Sequence, residues 1–388
     1  MSATGWYSAE DCQVADLDAL VRTVTDLADY PAADAVEQGV LVYDGVRLRG
    51  EVADPGGRRA LMSELARALM DGPGVLVLAG AYPDTDVVDD VTEAFQRIIA
   101  AEKSAGTAPG DHFAEAGAND RVWNALEKLA VADPDAFVRY YANPLIALVC
   151  EAWLGAGYQM TSQVNQVNPG GKAQSPHRDY HLGFQSQRSA QSYPVHVHTL
   201  SPVLTLQGAV AHCDMPQESG PTLLLPHSQK YGPGYVAWHL PEFQSYFADH
   251  HVQLPLRKGD AVFFNPALFH AAGENRTGDV QRLANLLQVS SPFGRAMETI
   301  DRQRVVDAVY PALLRARADG MPECDLAHAI AASAEGYVFP TNLDRDQPSG
   351  SDAPPAQADL VRRAAAEGWT REALAARLAD YAAAHLSH

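Results

Sequence analysis

The sequence predicts an α+β protein whose core is mainly β: short antiparallel strands, as a sandwich or barrel, set between two helical flanks. Three observations predict it. From about residue 156 to 292, short apolar or alternating runs follow one another, separated by Pro, Gly, Asn and Asp, with no long helical pattern between them. On either side, residues 1–155 and 293–388 carry apolar residues at helical spacing. The composition, 388 residues with 47% hydrophobic and 20% charged, is that of a globular chain with a full core. The three zones are read as one domain.

In the N-terminal zone, DLDALVRTVTDLADY (16–30), RRALMSELARALMDG (58–72) and DDVTEAFQRIIAAEKS (89–104) have helical periodicity. PGVLVLAGAYP (73–83), a β-branched run bounded by Pro and Gly, predicts a buried strand. DPDAFVRYYANPLIALVCEAWLG (133–155) predicts one or two helices, with Asp133 as N-cap and Pro134 at the first helical position. The central zone supplies the strands YQMTSQVNQVN (158–168), PVLTLQGAVAHCDM (202–215), PTLLLP (221–226), HVQLPLRKGDAVFFNP (251–266) and RLANLLQVSSPF (282–293). Residues 235–250 form an insert, helical or irregular. Beyond 293 helices return, interrupted by DRDQPSGSDAPPAQ (344–357), which reads as a mobile linker.

Charge and cysteines narrow the function. A formal net charge of −19 repels phosphate backbones and anionic membranes, so neither nucleic acid nor membrane is expected as a partner. The four cysteines are scattered, with no CxxC pair, which excludes a thiolate zinc site and suits a reducing compartment. The polar, acidic first residues do not read as a signal peptide, and no apolar run is long enough to span a bilayer. A cytoplasmic protein acting on a small molecule, as monomer or homodimer, is expected.

The chemistry concentrates in AQSPHRDYHLGF (173–184). On a strand, His177 and Asp179 share a face and present an imidazole nitrogen beside a carboxylate oxygen. With one further His, such a pair makes the 2-His-1-carboxylate arrangement of non-haem Fe(II) oxygenases, which leaves three coordination positions open. KGDAVFFNPALFHAAGENRTGDVQR supplies His270 after one strand and Arg282 at the start of the next; Arg276, in the turn, is a second candidate. An arginine so placed can grip the far carboxylate of a dicarboxylate bound to the metal. His181 shares the face of the pair if the strand continues, and is then read as a substrate contact. Gln163 and Asn165 share one face of their strand and Gln166 the other, so one set is expected to line a cavity and contact substrate. His196 and His198 invite a cupin-type HxH reading, but the Glu and second His that should follow are missing, and they are read as strand or loop residues near the cavity mouth. His212 and Cys213 read as packed core, and Lys172 as a solvated loop residue.

The pieces GVLVLAGAYPDTDVVDDVTEAFQ, AQSPHRDYH, ESGPTLLLPHSQKYG and FHAAGENRTGDVQRLANLL, over roughly 73–290, together resemble the phytanoyl-CoA dioxygenase family of Fe(II)/2-oxoglutarate oxygenases. The resemblance implies a double-stranded β-helix, or jelly roll, with helices packed on one sheet. It implies that His177, Asp179 and His270 bind Fe(II), that Arg282 binds the C5 carboxylate of 2-oxoglutarate, and that Thr222 and Gln174 contact the same co-substrate. O2 would then oxidise a C–H bond of a small molecule while 2-oxoglutarate is decarboxylated to succinate and CO2. A specialised metabolite or amino-acid-like substrate is expected. Asp179 argues against halogenation, because related halogenases carry a small residue there. The usual PGSH reads PHSQ here (226–229). The readings set against an oxygenase are a non-catalytic binding protein of the same fold and a cupin-like metal-dependent isomerase.

Overall fold

The computed structural model describes residues 5–106, 118–348 and 353–388. Its strands are β1 (Ala35–Glu37), β2 (Val40–Asp44), β3 (Val75–Ala79), β4 (Asn119–Val122), β5 (Gln159–Val167), β6 (Thr205–Ala211), β7 (Leu223–Leu225), β8 (Val252–Gln253), β9 (Ala261–Phe264), β10 (Phe269–Ala271) and β11 (Arg282–Ser290). Eight of them form one mixed sheet in the order β1-β2-β3-β9-β6-β11-β5-β4, antiparallel throughout except for the parallel pair β2–β3. The other three form a small antiparallel sheet, β10-β7-β8. Fifteen α-helices among the described residues make the whole a mixed α/β architecture.

Period-two alternation decides which layer each strand residue serves. Leu76, Leu78, Leu206, Val210, Phe263, Leu283 and Leu287 face the helices and join the largest apolar cluster. Their neighbours Val75, Val77, Ala209, Ala211, Val262 and Phe264 face the other way and meet Leu224, Leu254, Leu256 and Leu268 from the small-sheet side. The large sheet is therefore buried on both faces, which is why β3 reads as an uninterrupted apolar run rather than an alternating one. Gly74 and Gly80, at φ 78° and 64°, turn the chain into and out of β3.

Helices Pro134–Tyr141 and Pro144–Leu154 each carry proline at the first position, with Asp133 and Asn143 accepting from the first-turn N–H groups. The C-terminal helices Arg302–Ala318, Glu323–Ser333, Gln357–Glu367 and Arg371–His385 contribute Val305, Tyr310, Ile330, Val361 and Leu374 to the same cluster. They buttress the large sheet from behind rather than covering the opposite face. The predicted linker 344–357 has residues 349–352 outside the described residues.

Three expectations change. The helix expected over 16–30 spans only Val14–Val21, followed by a 3₁₀ turn at Leu27–Asp29. The β-branched run Thr23–Val24–Thr25 favours extended backbone, and the Thr25 hydroxyl bonds Gly39 O and His227 Nε2 instead. Residues 195–203 form a helix, Val195–Val203, not a strand or loop. The segment carrying His177 and Asp179 is not a strand: His177 makes one isolated bridge, to His270. No helix among the described residues is long and apolar enough to cross a membrane.

Candidate metal and co-substrate site

The chain from Gln174 to Asp179 runs antiparallel beside β10, on the edge of the small sheet. Gln174 N–H donates to Ala272 O (2.9 Å), His177 N–H to His270 O (3.0 Å), His270 N–H back to His177 O (3.2 Å), and Asp179 N–H to Pro266 O (3.1 Å). This pairing places the two histidines opposite one another. Tyr180 and His181 then adopt left-handed backbone, at φ 62° and 39°, and turn the chain away. His181 therefore leaves the face of the pair and does not line the cavity, contrary to the reading that assigned it to substrate.

The side chains of His177, Asp179 and His270 bring their ligating atoms within 4.8 Å of one another. Each imidazole is oriented from behind. His177 Nδ1 lies 2.8 Å from Ser175 O and His270 Nδ1 2.9 Å from Leu268 O. A carbonyl only accepts, so each Nδ1 carries a proton and each Nε2 is the ring nitrogen turned towards the shared site. Those Nε2 atoms face Asp179, at 3.5 Å from Oδ1 and 3.4 Å from Oδ2. Burial works to raise the Asp179 pKa, yet His177, His270 and the donated Gln207 amide together hold it below the usual carboxylate range. Desolvation, outweighing the attraction of Asp179, lowers the His177 pKa and favours the neutral ring. Two imidazoles and one carboxylate converging on one point fit a divalent first-row metal such as Fe(II).

Arg178 anchors the segment from its other side. It is fully buried, donates through Nη2 to Ser228 O (2.6 Å) and Tyr231 O (2.9 Å), and lies over the rings of Tyr235 and Phe269. Desolvation lowers its pKa to about 10, so it remains charged. The altered PHSQ turn lies next to it. His227 takes the glycine position of the usual motif with φ 69°, held by Thr25 and by the Lys230 ammonium 2.8 Å from Nδ1.

The three side chains open into a cavity of about 600 Å³ between the sheets. Arg282, Thr222, Gln174 and Asn165 line it. Arg282 opens β11, is buried, and donates through Nη1 to Ser219 O and Gly273 O, both at 3.1 Å. Burial lowers its pKa to about 10, and no carboxylate pairs with it among the described residues. Arg276 is exposed in the turn and lies outside the cavity. Gln163 is buried on the same face of β5 as Asn165, opposite Leu286, where it accepts from Arg121 Nη2 (2.5 Å), and is not itself among the lining residues. Lys172 pairs with Glu274 at 2.7 Å. His198 Nε2 donates to Ala190 O (3.0 Å), and His212 sits between Thr92 and Tyr140 on the helix side.

Sequence reasoning missed Gln207, Gln288, Arg121, Trp123 and Trp238, all lining the cavity. Gln207 left a signal: it is the one amide in the apolar run LTLQGAVA, in phase with the cavity-facing Ala209 and Ala211.

A family model described as phytanoyl-CoA dioxygenase (PhyH) matches residues 70–284, more than half of the chain and every residue just described as convergent on the cavity except Gln288. The chain belongs to the phytanoyl-CoA dioxygenase family. It is 32% identical over 130 residues to the dioxygenase trt7 of Aspergillus terreus, covering 34% of this chain and 38% of that one. To the dioxygenase cdmD of Talaromyces verruculosus it is 33% identical over 141 residues, covering 34% and 41%. The matched stretch is thus well under half the length of either relative. Among solved structures, the α-ketoglutarate-dependent epimerase SnoN of nogalamycin biosynthesis shares 21% identity over 62% of this chain and 84% of that one, with TM-score 0.40. The carbocyclase SnoK of the same pathway shares 19%, over 59% and 84%, with TM-score 0.44.

Proposed function

We propose that this family member is an Fe(II)/2-oxoglutarate-dependent dioxygenase that oxidises a C–H bond of a small molecule. One observation carries the reading: His177, Asp179 and His270 converge in the same cavity that holds a buried, carboxylate-free Arg282. A protein that only bound small molecules would have no need for all four. The two-sheet core is read as a double-stranded β-helix, supported by the small sheet closing over the cavity-facing side of the large one.

The three ligands would hold Fe(II) on one face and leave three positions for co-substrate and O2. Bound there with 2-oxoglutarate and O2, iron supplies oxidation of the C–H bond, with succinate and CO2 as co-products. The protein's own groups do the rest. Arg282 would bind the C5 carboxylate through its fork, already desolvated and aimed by Ser219 and Gly273. Thr222 and Gln174 lie on the same wall for further polar contacts. Ser175 O and Leu268 O keep both imidazoles in the ligating tautomer. Trp238, edge-on to His177 at 6.4 Å, and Phe264, 4.7 Å from His270, shield the ligands from water. With a carboxylate at position 179, oxygenation is favoured over halogenation.

The test is succinate release from 2-oxoglutarate with Fe(II) and ascorbate, compared between wild type and His177→Ala. Wild-type turnover lost in the variant supports the proposal. A variant with full iron content and full turnover would refute it.

A further inference from the structure

A row of residues crosses the cavity floor in register: Phe264 on β9, Gln207 on β6, Gln288 on β11 and Thr161 on β5. Its two glutamines are direct cross-strand neighbours, 5% and 6% exposed, and both line the cavity. Below them the floor is apolar, formed by Ala209, Ala211, Ala284 and Leu286.

Charges outside the pair dictate which end of each amide faces inward. Asp179 accepts only, so Gln207 must present Nε2 to it, and that bond is present. The Gln207 Oε1 is then left buried without a partner. On the other side the chain of logic starts from a cation. Arg121 donates only, so Gln163 turns Oε1 towards it (2.5 Å) and offers Nε2 to Gln288 Oε1 (3.4 Å). Gln288 Nε2 is left with no hydrogen-bond partner among the described residues. An unpartnered acceptor and an unpartnered donor therefore sit on directly opposed residues of neighbouring strands, next to a metal ligand. The Gln207 Oε1 is buried, and a buried polar atom is costly unless something satisfies it; the Gln288 side chain lines the cavity beside it.

We infer that Gln207 Oε1 and Gln288 Nε2 form a recognition site for a hydroxyl group on an otherwise apolar substrate. A hydroxyl donates and accepts at one oxygen, so it satisfies both amides at once. A carbonyl satisfies only Gln288, and a methyl neither. The apolar floor, with Trp123, Phe184, Met215, Trp238 and Phe264 around it, would take the hydrocarbon body. The inference rests on the proposed function, and it names the substrate class: a neutral, ring-sized alcohol that presents its hydroxyl beside the iron.

The experiment titrates the full chain, loaded anaerobically with Fe(II) and 2-oxoglutarate, with 1-adamantanol and with 1-methyladamantane, following fluorescence of the cavity tryptophans. The alcohol should bind at least about ten-fold tighter, since a site built to bond a polar group discriminates strongly against an analogue lacking it. Gln288→Met should erase the difference and keep the visible charge-transfer band of the Fe(II)–2-oxoglutarate complex. Gln288→Glu, which offers only an acceptor, should keep the alcohol but reject 2-adamantanone. Equal binding of the two probes by wild type, binding of neither, or undiminished discrimination in Gln288→Met would overturn the inference. Loss of the charge-transfer band in wild type would instead overturn the proposed function.

Discussion

His177 and His270, 93 residues apart in the chain, exchange backbone hydrogen bonds of 3.0 and 3.2 Å, and their rings lie 4.6 Å apart, centre to centre. The backbone bridge, not the side chains, sets this approach. It holds both imidazoles near Asp179 before any ion arrives, so little reorganisation accompanies metal binding.

Gln207 is expected to tune that metal centre. Among the described residues it is the one amide that donates to Asp179 Oδ2. Gln207→Leu should weaken Fe(II) binding by roughly 10- to 100-fold, the range for lost hydrogen bonds to a metal ligand. Competitive titration against a chelator measures it, and an unchanged affinity would contradict the role.

Arg282→Leu should weaken 2-oxoglutarate binding by about 2–5 kcal/mol, the cost of leaving one partner of a buried charge pair alone. Iron affinity should stay near wild type, because Arg282 is not among the converging ligands. Arg276→Leu, altering an exposed side chain, should change neither. Isothermal titration of all three proteins with 2-oxoglutarate decides the matter; a larger effect at 276 than at 282 would reverse the assignment.

Arg178→Leu should destabilise the fold by about 2–4 kcal/mol, because the carbonyls of Ser228 and Tyr231 lose their donor inside the protein. Denaturant unfolding at neutral pH measures it. A variant as stable as wild type would mean that the buried guanidinium is dispensable.

His212 makes a pH prediction. Its folded pKa is pulled down to about 3 by burial, from an ordinary value of 6.5. Below about pH 6.5 the unfolded chain takes up a proton that the folded ring refuses, so stability falls as pH drops from 6.5 towards 3. This one group contributes a slope of up to ~1.4 kcal/mol per pH unit. His212→Gln should show a shallower loss of stability over that window than wild type. Equal slopes would contradict the burial argument.

Much of this was legible in the sequence, and the reasons are physical. Strands β5, β6, β9 and β11 alternate or run apolar between turn residues, so period and punctuation reveal them. The two histidines, the aspartate and the arginine are legible because metal and carboxylate chemistry demands those residue types. His181 was misplaced because two left-handed residues end the extended run at Tyr180, and neither is a glycine to announce the turn. Gln163 shares the cavity face with Asn165 as read, but its amide is taken up by Arg121 and Gln288, which alternation along one strand does not reveal. The amide orientations of Gln207 and Gln288 could not be read from sequence at all, since they depend on Asp179 and Arg121, which lie far away in the chain.

The most direct test of the central claim is a crystal structure of the chain with Fe(II) and 2-oxoglutarate, grown without O2. The account predicts one ion bound by His177 Nε2, His270 Nε2 and an Asp179 oxygen, with the far carboxylate of the co-substrate on the Arg282 guanidinium. An ion bound elsewhere, or a co-substrate carboxylate held away from Arg282, would contradict it.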